Sequence, residues 1–344
     1  MSPTYRKFEV TQADFEVLQE LEANAGYPLH VGKYMDEGTG RGGDAAIEDG
    51  RVIELSLSNR DIDELPECIS RLDHLEDLYL HDCGLDDLPP WFSELTSMDT
   101  LWLQGNEFTT FPEPLRGLRS LEWLNLDGNQ LQALPDWLDE MQGLFSLKLH
   151  YNELEQFPDA LCNMPNLEEL EASNNQIEEL PRCINKMASL HELQLSFNKI
   201  KELPDAFCDL QHLDTLNLSY NSIEELPSRF HALSSLKRAN FSNNEINSLD
   251  GFLGLASIEH IDLHTNPIKN IPPEITRLST LKELNLGETL IQEVPDAIFE
   301  LHNLKTFGYA RTEISKFESK ASLEFLEKLK RNNWKIGDVY CWKK

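Results

Sequence analysis

Residues 121–143 read LEWLNLDGNQLQALPDWLDEMQG, and this stretch decides the fold. The same pattern starts again at Leu144, Leu167, Leu190, Leu213 and Leu236, and upstream at Val52, Leu75 and Met98. Further copies begin at Ile258, Leu281 and Leu304, giving twelve repeats, 23 residues apart except for a 22-residue step from Leu236 to Ile258. A fixed period in this range is the mark of a stacked solenoid, in which each unit buries its apolar face only against its neighbours. One repeat alone holds too few apolar side chains to offset the entropy of ordering its backbone, so the units must fold as an array.

Each position within the repeat has a physical reading. The leucine pairs Leu78 and Leu80, Leu101 and Leu103, Leu124 and Leu126, and Leu147 and Leu149 are two residues apart. On a strand that spacing sends both side chains to one face, the core. An asparagine follows in eight successive repeats: Asn106, Asn129, Asn152, Asn175, Asn198, Asn221, Asn244 and Asn266. A carboxamide carries two donors and an acceptor, so inside a turn it can satisfy backbone groups that the bend leaves unpaired. Cys83, Thr289 and Thr312 occupy this place elsewhere. Proline then recurs in ten of the twelve repeats, from Pro66 to Pro295, and predicts the first turn of a short helix on the far side of each coil. In the 22-residue unit, Leu249-Asp250-Gly251 replaces the leucine-proline step, a shortening tolerated on that far side.

The flanks read as caps. Residues 11–24 predict an amphipathic helix with Thr11 as N-cap and Phe15, Leu18 and Leu21 on one face. Residues 32–43 are glycine-rich and predict a loop. Asp49-Gly50 predicts a tight hairpin between 45–48 and 51–54, laid against the open edge of the sheet. Leu323, Leu326 and Leu329 fall at helical spacing near Trp334 and predict a closing helix. The domain plan is therefore an N-terminal cap over 1–51, a repeat array over 52–318 and a helical cap over 319–344.

The residues from 52 to 318 resemble the leucine-rich repeat family. The 23-residue form ending in leucine-proline is similar to the Ras-suppressor class and to many prokaryotic leucine-rich repeat proteins. The resemblance implies an α/β fold: a right-handed arc with a parallel concave sheet, short convex helices and a concave face that binds protein. Some members of that class bind small GTPases, but no residue here matches such a contact. The 22-residue unit resembles the phosphatase-regulator class in one repeat only. Bacterial relatives that are ubiquitin ligases add a catalytic domain, for which the 26 residues after the last repeat leave no room.

Composition narrows the partners. The chain of 344 residues has 60 acidic and 30 basic side chains, a net charge of −30. Residues 315–344 hold eight basic against four acidic groups, so the preceding chain carries −34. Such a surface repels nucleic acid and anionic lipid and suits either a basic protein or plain solvation. No apolar run is long enough to cross a bilayer, and the start lacks the apolar stretch of a secretion leader. The six cysteines, Cys68, Cys83, Cys162, Cys183, Cys208 and Cys341, lack metal-site spacing and read as small buried hydrophobes. These features predict a cytoplasmic monomer without cofactor or metal.

Alternation also maps the solvated face of the sheet. In repeats two to four that face gathers Tyr79, Trp102 and Trp123, with Asp77, His81, Asp82, Gln104, Asn125, Asp127, Lys148, His150 and Tyr151 around them. Exposed tryptophan beside tyrosine within a polar rim has the composition of an interface centre. Farther along, Glu169, Glu171 and Glu192 form an acidic strip with Phe197 and Tyr220 at its edge, suited to a basic side chain or helix. His81, His150 and His264 share one repeat position but lie too many strands apart to bind one metal. No phosphate-binding G-x-x-x-x-G-K-[ST], nucleophile-elbow G-x-S-x-G or zinc-binding H-E-x-x-H sequence occurs. The sequence therefore predicts a non-catalytic scaffold for a protein partner. The alternatives are a regulatory subunit of a small GTPase or phosphatase, and a hydrolase with a site at the N-terminal cap.

Overall fold

A computed structural model describes residues 3–25, 29–32, 44–312 and 335–336. The chain divides into two compact units, Met1–Glu153 and Leu154–Lys344. In the first unit, a two-stranded hairpin (β1, Thr4–Tyr5; β2, Phe8–Glu9) precedes a helix (α1, Gln12–Ala25). A sheet follows: β3 (Val31–Gly32), β4 (Ala45–Glu48), β5 (Arg51–Ser56), β6 (Asp77–Tyr79), β7 (Thr100–Trp102), β8 (Trp123–Asn125) and β9 (Ser146–Lys148). Only β4 and β5 pair antiparallel, and every other neighbouring pair in this sheet is parallel. The second unit holds β10 (Glu169–Glu171), β11 (Glu192–Gln194), β12 (Thr215–Asn217), β13 (Arg238–Asn240), β14 (His260–Asp262), β15 (Glu283–Asn285), β16 (Thr306–Gly308) and β17 (Lys335–Ile336). These strands pair in parallel in chain order, one repeat to the next.

The N-terminal cap forms for the reasons its sequence suggests. The Thr11 hydroxyl accepts from the Asp14 amide at 3.2 Å and donates to the Asp14 carboxylate at 2.6 Å, closing the first turn of α1. Val17, Leu18 and Leu21 bury the inner face of that helix. Asp14, itself buried, accepts the Val52 amide at 2.8 Å and ties the helix to β5. Asp49 and Gly50 both take positive φ (46° and 80°), the requirement for a two-residue hairpin turn. The sheet does not end at that hairpin, because β3 adds alongside β4. The short β1–β2 hairpin was not foreseen, since Arg6 and Lys7 carry no turn signature yet sit at positive φ.

The repeat chemistry is uniform within each unit. Leucines of the strand pairs are buried, for example Leu101, Leu103, Leu193 and Leu195 at 0 % exposure. The asparagines make a ladder. In the first unit, Asn106 Oδ1 accepts the amides of Cys83 and Leu85 at 3.0 and 3.1 Å, while its Nδ2 donates to the carbonyls of Leu80 and Leu103. In the second, Asn244 Oδ1 accepts the Ile223 amide at 3.0 Å and Nδ2 donates to Leu218 and Phe241 carbonyls. Each amide thus stitches one coil to the coil before it. Thr289 and Thr312, which replace asparagine, each donate to a carbonyl three residues back within their own coil.

Four expectations need correction. The far side of each coil carries single 3-10 turns of three to five residues, such as Asp136–Glu140 and Asp205–Asp209. Twenty-three residues per coil leave too little length for an α-helix there. In most coils proline stands one place before the turn as an extended N-cap (Pro135, φ −74°, ψ 153°), while Pro181 and Pro227 stand three places before theirs, and none of these lies within the first turn. Cys162 and Cys183 are not separate thiols. They sit on successive far-side turns and are joined by a disulfide, with Cα atoms 5.8 Å apart. Comparing cysteines at equal repeat positions hid this pair, because the two occupy different positions. Val31–Gly32 overlaps the predicted loop as a strand; residues 33–43 and the predicted closing helix over 319–344 lie outside the described residues apart from Lys335–Ile336. In the 22-residue unit, Gly251 lies so close to Leu226 that an added Cβ would meet its side chain at 2.9 Å, which accounts for glycine there.

Candidate partner-binding surface

The surface is built by strand alternation. In β7, Thr100 and Trp102 point away from the core while Leu101 points in, and the central residue of every strand from β6 to β16 is likewise buried. In the first unit, Trp102 stands opposite Tyr79 in register, with ring centroids 5.7 Å apart. Trp123 leans across β9 onto Phe145 at 5.1 Å. Trp123 is exposed and Trp102 half-buried, both on the outward side of the sheet. Tyr79 is a correction: at 7 % exposure it is buried, and its ring offers a wall to Trp102 rather than a contact surface. Asn125 is also buried, its Oδ1 accepting the Asp127 amide at 2.9 Å.

Three further residues complete this face, and pattern reading missed them. Phe145 precedes β9 at a place where other repeats carry charge, so nothing marked it as the support for Trp123. Ser146 pairs with Trp123 in register and is buried although alternation points it outward, because the leaning indole roofs it. Asp99 precedes β7, and burial holds its carboxyl above the ordinary aspartate range. Asp99 Oδ1, Gln104 Oε1 and Ser146 Oγ are buried with no hydrogen-bond partner among the described residues. Unsatisfied acceptors of this kind are costly, and three fall within or beside β7 and β9.

The polar rim in this unit is ordered. His81 lies 3.1 Å from Asp82, and the Asp127 carboxylate accepts the His150 amide at 2.6 Å. Lys148 is half-buried on the outward side of β9. Tyr151 is 65 % exposed at positive φ (55°).

The second unit carries the acidic strip. Glu169 and Glu192 are register partners on β10 and β11, and Glu171 faces Gln194. Glu192 accepts from the Gln194 amide at 2.8 Å. Phe197 and Tyr220 stack face to face, centroids 4.0 Å apart and planes within 10°. Farther along, Asp262 accepts His264 at 2.8 Å, and the other His264 nitrogen lies 3.2 Å from the Asn243 amide. Burial alone would push this imidazole down, but the Asp262 hydrogen bond and charge, with Glu288, hold it above the ordinary histidine value. Both ring nitrogens are engaged, so the pair has no free nitrogen with which to activate a nucleophile. No cluster of three or more metal-ligating side chains occurs among the described residues, nor any helix long and apolar enough to cross a membrane.

Comparison with known proteins agrees with this architecture. A leucine rich repeat family model matches residues 74–131, 134–177 and 181–223. Sequence comparison with curated proteins gives no match. Among solved structures, a leucine-rich repeat protein of Leptospira interrogans is 24% identical over 80% of this chain and 81% of its own, with TM-score 0.67. An internalin of Listeria monocytogenes is 22% identical over 76% of this chain and 74% of its own, with TM-score 0.69. The ectodomain of a plant membrane receptor kinase from Arabidopsis thaliana, solved in complex with Casparian strip integrity factor 2, is 27% identical. That match covers 72% of this chain and 31% of the receptor chain, with TM-score 0.62. The parallel ladder of 23-residue coils, the asparagine stitching and these matches together show a leucine-rich repeat fold, with leucine rich repeats matched over residues 74–131, 134–177 and 181–223.

Proposed function

We propose that this protein is a non-catalytic scaffold that binds a protein partner through the outward face of its sheet. The observation that carries the reading is the aromatic face of the first unit, where Trp123 stays exposed against Phe145 beside half-buried Trp102. A tryptophan left accessible on a strand face gives up burial that a core would supply, and such residues dominate binding energy at interfaces. The fold class supports a protein ligand, as the complexed Arabidopsis ectodomain illustrates. The net charge of −30 favours a partner with a basic surface and disfavours nucleic acid and anionic membranes. Open sheet faces also lack the enclosed, water-poor setting that general acid–base chemistry needs. The Cys162–Cys183 bridge weighs against a cytoplasmic location, because such bonds persist in oxidising compartments.

The test is capture of partners from the source cells with wild-type protein and with Trp102→Ala and Trp123→Ala. Each variant should weaken the main partner by more than ~1 kcal/mol while leaving thermal stability near wild type. Equal capture by all three proteins would remove the aromatic face from consideration.

A further inference from the structure

The second unit carries two local costs at one surface. The first is backbone strain. The residue before each ladder position, whether asparagine or its replacement, takes φ between 54° and 68°, and Asp82, Gly105, Gly128, Asn174 and Asn243 suit it. Tyr151 of the first unit (φ 55°) does not, and neither do Phe197 and Tyr220, both at φ 54°, because bulky side chains clash in the left-handed region. Phe197 and Tyr220 gain little burial in return, being 47% and 45% exposed. They gain only each other, stacked at 4.0 Å. The second cost is charge. The register sets Glu169 directly opposite Glu192 on neighbouring strands, an arrangement that destabilises a sheet. Neither carboxylate has an ion-pair partner among the described residues.

One kind of ligand relieves the charge cost and covers the exposed rings. Glu192 sits five residues before Phe197 on one coil, with Glu169 on the coil before and Tyr220 on the coil after, so the two features lie up to ~16 Å apart along the strand direction. That is the span of about five residues of extended chain. A cation can pair with Glu169 and Glu192, while an apolar or guanidinium group packs on the Phe197–Tyr220 step. The strip is bounded: Thr215 is neutral on β12 and Arg238 is exposed and cationic on β13. The acidic seat therefore covers β10 and β11 and gives way before β13.

We propose that this surface of the second unit binds an extended basic segment of a protein partner, with arginine or lysine at Glu169 and Glu192 and the neighbouring residues on Phe197 and Tyr220. The proposal rests on the reading of the chain as a protein-binding scaffold, but it concerns residues other than Trp102 and Trp123 and can fail separately.

The probe is a synthetic octapeptide of alternating arginine and leucine, titrated calorimetrically into the full chain at low salt. Its glutamate–leucine counterpart is the control. The arginine peptide should bind and the glutamate peptide should not. The double variant Phe197→Asn/Tyr220→Asn should bind at least about fivefold more weakly, yet melt no lower than wild type, because asparagine tolerates the left-handed backbone. Glu169→Gln/Glu192→Gln should weaken binding about tenfold and flatten its salt dependence. Glu224→Gln/Glu225→Gln, exposed carboxylates beyond the ladder, should leave binding unchanged. A wild type that ignores the arginine peptide, or an asparagine variant that binds as well as wild type, overturns the proposal. So does equal weakening by the Glu224/Glu225 variant, which would reduce the effect to net charge.

Discussion

Asn244 shows how one side chain serves three backbone groups from three different places in the chain. Its carboxamide satisfies the Ile223 amide and the Leu218 and Phe241 carbonyls, all inside the coil. Asn244→Ala leaves these groups buried and unpaired, and should cost about 3 kcal/mol, read as a shift of the urea unfolding midpoint. Residues at this place were legible in the sequence because the amide recurs at a fixed period beside apolar neighbours. Tyr79 was not. Alternation assigns the side of a sheet, but coverage depends on how neighbouring rings lean, and Trp102 stands against Tyr79. Phe145 was missed because it breaks the largely charged pattern of its repeat position, and Asp99 because it fits that pattern, so periodicity offers no cue to its burial.

His264 gives a prediction with a sign. Its folded value lies above the ordinary imidazole pKa because Asp262 outweighs burial. A raised folded pKa stabilises the protein fully below the unfolded value, and that contribution is lost as pH rises through the folded value. His264→Asn should therefore destabilise the protein more at pH 5.5 than at pH 8.5. Unfolding curves of both proteins at the two pH values check it, and a pH-independent difference would contradict the assignment.

At the level of elements, the strands were legible and the far-side turns only partly so. Two leucines at i and i+2 specify a strand face directly. The far-side segment depends on how many residues remain to cross back, and that number admits a 3-10 turn but not an α-helix. Proline marked the place of most turns, though it lies before the turn rather than within it. The disulfide belongs to this scale because it joins two such turns across 21 residues. Closing a loop of that size should contribute about 3 kcal/mol in the chain-entropy picture. Reduction should lower the melting temperature of the wild type and leave Cys162→Ser/Cys183→Ser unchanged. Peptide mapping without reductant should recover Cys162 and Cys183 in one linked fragment, and recovery of both as free thiols would refute the bridge.

At the scale of the whole molecule, the period of the sequence carries most of the information. Twelve copies specify the fold because every level, from strand alternation to the amide ladder, agrees. The binding surface was legible only as a list of outward positions, since which of them stay exposed is settled by packing among side chains. The charge of −30 has its own consequence. Self-repulsion opposes compaction, so raising sodium chloride from ~10 mM to ~300 mM should raise the melting temperature, as screening at these strengths shortens the range of the repulsion. A melting point that falls with salt would mean that attractive ion pairs outweigh it.

The central claim is that the outward strand face, and not the far-side turns, meets the partner. Site-specific photocrosslinking tests it most directly: a photoreactive amino acid is placed at Trp123 in one protein and at Arg116, on a far-side 3-10 turn, in another. Irradiation in extracts of the source cells should give a discrete partner adduct from position 123 and none from position 116. Adducts from position 116 alone would place recognition on the opposite side of the coil and contradict the account.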